Sequence, residues 1–328
     1  MKFCCGLFNS HGSCAVIAGL AVFSGAAAYA QTYPIRPVRI IVPFSASGPT
    51  DIVARLVGQR LHDVMGQQFI IDNRGGTHVG AQLAARAAPD GYTLFLTGIA
   101  GLSIAPHMHK NLPYDPVRDY VPISKLTVQP LMLMVHPSLP ARTVKDFIAL
   151  ARSRPGQLDY ASSGLAGTGH LAGELFKSLT KTSMEHIPYK GAAPALTDLV
   201  AGQVQVMFGT VLAAVPFLKS GKLRALAVTS DKRVAAVSDV LTFTEAALPN
   251  FDAASWNCML APAGTSSEII NRLNAELVRI VRDPAVLARL AGDGVSGTGS
   301  TPEEAAAYIR AETAKWGKVL RDAGIKPS

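Results

Sequence analysis

The sequence predicts a two-lobed α/β protein with a ligand cleft between its lobes, and three observations carry that expectation. β-rich runs alternate with stretches of helical period, the pattern of parallel βαβ units. The alternation occurs in two successive sets along the chain. In each set a loop of small residues stands where a strand hands over to a helix, and small-ligand sites favour domain interfaces and the carboxyl ends of strands.

The 328 residues fit about two domains. With 48% hydrophobic and 16% charged residues, the signature of disorder is absent, and 29 Gly and 21 Pro without a period exclude fibrous or linker-dominated chains. From Phe3 to Ile35 there is no Asp, Glu, Lys or Arg, and Ala15 to Ala28 is an apolar run too short for a bilayer span. Behind it, Ala28-Tyr29-Ala30 fits a cleavage site, so residues 1–30 read as a secretory signal cut after Ala30. Cys4, Cys5 and Cys14 leave with it; the remaining 298 residues carry a net charge of +7 and one cysteine, Cys258, read as a core residue. The mature chain is expected to be soluble and exported.

In the first set, Val38 to Val42 reads as a strand, Thr50 to Met65 as a helix ended by Gly66, and Phe69 to Ile71 as a strand. Gly80 to Ala88 follows as a helix and Thr93 to Thr97 as a strand. The second set has strands at Leu131 to His136, Leu158 to Ser162, Glu185 to Ile187, Val204 to Phe208 and Leu223 to Val228. Its helices are Val144 to Arg152, His170 to Leu179, Ala193 to Ala201 and a short one near Ala213 to Leu218. Ser266 to Leu290, interrupted at Asp283-Pro284, and Pro302 to Ala323 are long amphipathic helices that cover a finished domain. The expected division is 31–129 plus 226–328 for one lobe and 130–225 for the other.

The common enzyme fingerprints are missing: no Gly-x-Ser-x-Gly, phosphate-binding loop, dinucleotide glycine motif or His-Glu-x-x-His occurs. His107 with His109, and His170 with Glu174, lack the third ligand of a metal signature and read as structural. Lys and Arg are spread singly, so the basic balance suggests steering of small anions rather than nucleic acid. What remains are the loops Ser45 to Thr50 and Ser162 to Gly169, which offer hydroxyls and backbone N–H groups beside helix starts where anions bind. Asp51 sits in a first helical turn, where a carboxylate suits the dipole; Tyr189-Lys190-Gly191 ends a strand with an aromatic, a cation and a flexible residue.

Read in order, Tyr33-Pro34, Pro43-Phe44, Gly48-Pro49-Thr50-Asp51, Asn73-Arg74 and Ala88-Pro89-Asp90-Gly91-Tyr92-Thr93 form a series of motifs. It continues through Tyr114-Asp115-Pro116, Tyr160-Ala161-Ser162-Ser163-Gly164, Pro188-Tyr189-Lys190-Gly191 and Ala261-Pro262-Ala263-Gly264-Thr265. The series resembles the Bug-type solute receptors, the periplasmic binding proteins associated with tripartite tricarboxylate transporters. The resemblance implies a type II periplasmic-binding-protein fold that closes like a flytrap on a small carboxylate and performs no chemistry. It further implies that the loops Phe44 to Asp51 and Ser162 to His170 hold the ligand through backbone amides, hydroxyls and bridging water.

The chain departs from the family pattern at Ser47-Gly48, where two glycines are common, and at His78, where Asn is common, within a shortened Asn73 to Gly80 loop. It departs again at Gly209-Thr210, where Asp usually follows Met207-Phe208, which weakens an amino-acid assignment. The expected ligand-binding residues are Phe44, Ser45, Ser47, Gly48, Thr50, Asp51, His78, Gly80, Ser162, Ser163, Gly164, Thr168, His170, Tyr189, Lys190 and Gly209. No cofactor, metal or nucleic acid is expected; the expected partners of this monomer are a small organic anion and membrane transporter subunits. A ligand sensor for a membrane signalling partner is the alternative, and an exported hydrolase using Ser162 or Ser163 with His170 is a further one.

Overall fold

Four of the five residues of β1 (Val38–Val42) are fully buried, as in a strand covered on both faces of a parallel sheet. The computed structural model describes residues 33–327 apart from Ser45, Ser47, Gly76, Ala166, Asn250 and Asp293. The expected export signal and the expected ligand residues Ser45 and Ser47 therefore lie outside the described residues. The helix α1 (Pro49–Met65) lays Val53, Ala54, Val57 and Leu61 on the sheet and ends at Gly66, whose φ of 71° few other residues adopt. It leads to β2 (Phe69–Asn73), and α2 (Thr77–Ala85) crosses on to β3 (Thr93–Gly98). Both β2 and β3 pair in parallel with β1.

After β3 the chain makes a π-helical turn, Ala100–Ile104, closed by the Ala105 N–H on the Ala100 carbonyl, then α3 (Ala105–Met108). The long strand β4 (Tyr120–Val135) follows, then α4 (Val144–Ser153), β5 (Asp159–Ser162), α5 (Thr168–Thr180), β6 (Glu185–Pro188) and α6 (Ala192–Val200). β7 (Val206–Thr210), α7 (Val211–Lys219) and β8 (Arg224–Val228) complete this stretch. The chain then returns through β9 (Ala254–Pro262), α8 (Ser267–Val281), α9 (Pro284–Gly292), β10 (Ser296–Gly297) and α10 (Pro302–Asp322).

Two sheets share β4. Along its first part β4 pairs with β9 in the order β2-β1-β3-β9-β4, and its last residues pair with β7 in the order β4-β7-β5-β6, with β8 also on β4. One apolar cluster lies under α1 and α8, and a second lies under α6 and α7. The largest runs from Phe95 through Phe176 and Phe208 to Trp316. Among the described residues no helix is long and apolar enough to cross a membrane.

The sequence reading and the structure differ where the pattern is not helical or alternating. β4 begins at Tyr120, not Leu131, because Pro122 and the polar Ser124, Lys125, Thr127 and Gln129 mask a strand whose register shifts twice against β9. The Trp256 to Leu260 stretch, read only as core, is the middle of β9. β7 starts at Val206, since Val204, though buried, belongs to the turn in which the Gln203 N–H meets the Asp198 carbonyl. α5 starts at Thr168 rather than His170 and α2 at Thr77 rather than Gly80, each one turn early or less.

Gly98 ends β3 against β9 so closely that a β-carbon there would fall on the Trp256 carbonyl oxygen. Gly98→Ala is expected to cost about 3 kcal/mol or more, because two backbones must separate. A denaturant midpoint lowered without change in slope is the result that checks it.

Candidate functional site

A cleft of about 640 Å³ opens where the two sheets meet. From the first sheet it is lined by the β1–α1 loop at Phe44, Ala46 and Gly48, the start of α1 at Pro49 and Thr50, and Gly98, Ile99 and Ala100. From the second sheet come Ser163 and Thr168, and the crossing strands supply Gln129, Ser255, Trp256 and Asn257. None of these described lining residues is charged. Electrostatics in the cleft therefore rest on backbone dipoles. The residue before α1 is Gly48 and the residue before α5 is Gly167, both extended and neither with a side-chain oxygen to cap its helix. The first-turn N–H groups of a helix have no partner within it, and they favour negative charge.

The first-lobe loop is held from behind. Asp51, 1% exposed, accepts from Arg55 Nε at 2.9 Å and from Asn73 Nδ2 at 2.9 Å, and the same Nδ2 donates to the Phe44 carbonyl at 3.2 Å. Asp51 thus ties α1, β2 and the loop together rather than lining the cleft. Thr50 Oγ1 lies 2.9 Å from Asn257 Oδ1, and Asn257 Nδ2 lies 3.1 Å from Thr127 Oγ1, which links the start of α1 to both crossing strands.

The second-lobe loop is held in the same manner. Fully buried Ser162 donates from Oγ to the Gly164 carbonyl at 2.9 Å and meets His186 Nε2 at 2.7 Å. The Tyr189 and Gly191 N–H groups donate to the carbonyls of Ser162 and Ser163. The Tyr189 hydroxyl donates to Asp198 Oδ2 at 2.7 Å; burial and that carboxylate push its pKa up to about 12. His170, 3% exposed, stacks on His186 and lies inside α5.

Of the expected ligand residues, the structure brings Phe44, Gly48, Thr50, Ser163 and Thr168 to the cleft wall. It places Asp51, Ser162, Gly164, His170 and Tyr189 behind that wall, as supports or as part of the loop's own turn. Gly80 packs on Pro43, where a β-carbon would crowd the proline. His78, on α2, packs edge-on against His109, its pKa lowered by burial and by that second imidazole. Lys190 is exposed, and Gly209 is buried in β7 opposite Met132, beside the side chains of Met134 and Met207. The sequence reading did not single out Ile99, Ala100, Gln129, Ser255, Trp256 or Asn257 as site residues. Trp256 and Asn257 carried one signal, a large aromatic and an amide inside an otherwise apolar run.

Trp256 is anchored by a buried carboxylate. Glu312 of α10, 4% exposed, accepts from Trp256 Nε1 at 3.0 Å and from Trp316 Nε1 at 2.9 Å on one oxygen, while Lys315 pairs with the other. The chain has two tryptophans, so both indoles report on this one group. Glu312→Leu is expected to destabilise by about 3 kcal/mol, since two buried N–H groups lose their acceptor, and to shift tryptophan emission. Glu312→Gln, which keeps an acceptor oxygen, is expected to restore most of both in the same denaturation and emission measurements.

Comparison with known proteins places this arrangement. BugT of Bordetella pertussis is 35% identical over 300 residues, covering 90% of this chain and 92% of that protein. The solved structure of R. palustris Rpa4515 with adipate is 37% identical with a TM-score of 0.76, and covers 90% of this chain and 100% of that one. MatC from Rhodopseudomonas palustris, with bound malate, is 32% identical with a TM-score of 0.70, covering 88% and 100%. The model of the tripartite tricarboxylate transporter family receptor, TctC, matches residues 53–325. With two sheets joined by crossing strands, a cleft at their junction and this match over most of its length, the chain belongs to the TctC receptor family and has the two-lobed fold of periplasmic solute-binding proteins.

Proposed function

We propose that the chain is an exported receptor that captures a small carboxylate in the interlobe cleft and delivers it to membrane subunits of the tripartite tricarboxylate type. The observation that carries the proposal is the uncharged cleft lined by two glycine-led helix starts, one from each lobe. Backbone N–H groups and hydroxyls there suit an anion without a fixed counter-charge. The adipate and malate held by the two structural relatives support a carboxylate as the ligand class. The receptor works as a monomer that binds and releases without catalysing a reaction. Its two lobes, residues 31–129 plus 226–328 and residues 130–225, close by hinge motion about the crossing strands. Residues 1–30 direct export and are removed after Ala30.

Thermal denaturation of ligand-stripped protein against mono-, di- and tricarboxylates, aromatic acids and acidic amino acids tests this reading. A cognate carboxylate at 100 times its Kd is expected to stabilise the folded state by about 2.7 kcal/mol, seen as a saturable rise in Tm. Acidic amino acids are expected to bind less well than the matching unsubstituted acids, because no described lining residue offers a carboxylate to an ammonium group. A folded, stripped protein whose Tm no carboxylate moves overturns the proposal.

A further inference from the structure

Directly behind the second-lobe cleft loop, β5, β6 and α5 bring together a set of groups that capture of a solute does not by itself require. His170 of α5 and His186 of β6 stack face to face, with ring centroids 3.7 Å apart and planes 10° apart. Tyr160 of β5 lies against both rings, at 6.3 and 4.9 Å. On α5, Glu174 Oε1 accepts the Tyr160 hydroxyl at 2.5 Å and the Lys177 ammonium at 2.9 Å, and it lies 3.9 Å from His170 Nε2. Glu185 adds negative charge near Tyr160 from β6. The Glu174 carboxylate is thus already answered by Lys177 when both imidazoles are neutral.

The stack is wired to the cleft through one hydroxyl. Ser162 Oγ donates its proton to the Gly164 carbonyl at 2.9 Å and accepts the Gly164 N–H at 3.3 Å. With the Ser162 proton on the Gly164 carbonyl, the bond of 2.7 Å to His186 Nε2 is donated by the imidazole in its neutral Nε2–H tautomer. Ser163, the next residue, lines the cleft, and the Gly167 N–H closes the turn on the Gly164 carbonyl.

We propose that His186 is a positioning residue for the ligand loop, and that the stacked His170–His186 pair makes ligand affinity acid-sensitive. The proposal rests on the solute-binding reading above. Burial and the neighbouring His170 hold the His186 pKa down to about 4, from an ordinary 6.5, so both rings are neutral at pH 7. A proton forced onto His186 sets a cation face to face with a second ring whose own pKa burial lowers. The sign follows: unfolded or displaced His186 takes up its proton below pH 6.5 while the stacked ring does not, so the stacked arrangement loses stability as pH falls from 6.5 toward 4. A ring that leaves the stack to be charged in water withdraws the donor from Ser162 and frees the turn that presents Ser163.

The test compares wild type, His186→Ala and His186→Gln, whose amide places a donor near the Nε2 position but never titrates. Calorimetric titration with adipate at pH 7.5 is expected to give about tenfold weaker binding for His186→Ala, the size of one lost hydrogen bond, and near-wild-type binding for His186→Gln. At pH 4 wild type is expected to fall at least twofold relative to His186→Gln; protonation of adipate itself is common to both proteins and cancels. Hydrogen exchange of the Gly164 and Gly167 amides in unliganded protein, corrected for intrinsic rates, supplies a readout that needs no ligand. These amides are expected to exchange faster in His186→Ala at both pH values and to be acid-sensitive in wild type but not in His186→Gln. Unchanged exchange in His186→Ala, or the same acid response in wild type and His186→Gln, overturns the proposal. Absence of any adipate heat at pH 7.5 counts instead against adipate as a ligand and leaves the exchange result to decide.

Discussion

Because β4 belongs to both sheets, the lobes cannot be placed independently of one another. Its residues Tyr120 to Pro130 pair with β9, Leu131 to Val135 pair with β7, and Met132 to Val135 pair with β8 on the other side. The handover falls at Pro130. A proline has no N–H for a ladder, and here it stands at the last pair with β9, where the strand changes partners and little is lost. The Leu131 N–H that follows is taken by Thr229 Oγ1, just beyond β8. The floor of the cleft is this junction: Gln129 of β4 pairs with Ser255 of β9, and both line it. The hinge motion proposed above would turn about residues that also line the cleft, and would so link closure to occupancy.

Helix starts differ in how they are capped, and lack of a side-chain cap is not confined to the cleft: α6, after Gly191, and α7, after Thr210, have none either. α4, α8 and α10, whose starts line no part of the cleft, are capped by Thr143, Ser266 and Thr301, and two of the three caps are completed as boxes by Asp146 and Glu304. α1 and α5, at the cleft, begin after glycines. A side-chain cap contributes about 1 kcal/mol by satisfying first-turn donors. On the receptor reading proposed above, a start without a side-chain cap presents backbone dipole to an anion. The absence of charge from the lining has a matching consequence. A lysine or arginine would bind many anions strongly, whereas dipoles and hydroxyls reward a ligand whose shape brings its oxygen atoms to them.

Much of this architecture was legible in the sequence because its elements obey simple periods. A single β-branched run marks β1 at its true bounds, and apolar spacing marks α1, α4, α8 and α10 to within a residue or two. The first half of β4 and the π-helical turn after Gly98 are not so marked, since bulges, prolines and polar residues satisfy neither period. The same contrast holds at the site. Loops at strand ends announced Phe44, Gly48, Thr50, Ser163 and Thr168. Nothing local announced Gln129 or Ser255, which reach the cleft because two strands distant in sequence pair there.

The residues with the strongest local signals often prove to be the ones behind the wall. Asp51 and Ser162 carry recognisable motif positions, yet each spends its polar atoms on neighbours that fix a loop: Asn73 and Arg55 in one case, Gly164 and His186 in the other. Each thereby fixes the backbone of a loop that lines the cleft. On the receptor reading proposed above, discrimination between carboxylates falls to side chains that differ in size and polarity along the rest of the wall. Those are Ile99, Gln129, Ser255, Trp256 and Asn257, with Trp256 fixed in turn by Glu312. A receptor built this way would keep its two cleft loops constant and change its ligand through a handful of residues on β4, β9 and the turn after β3, positions at which a motif search has little to find.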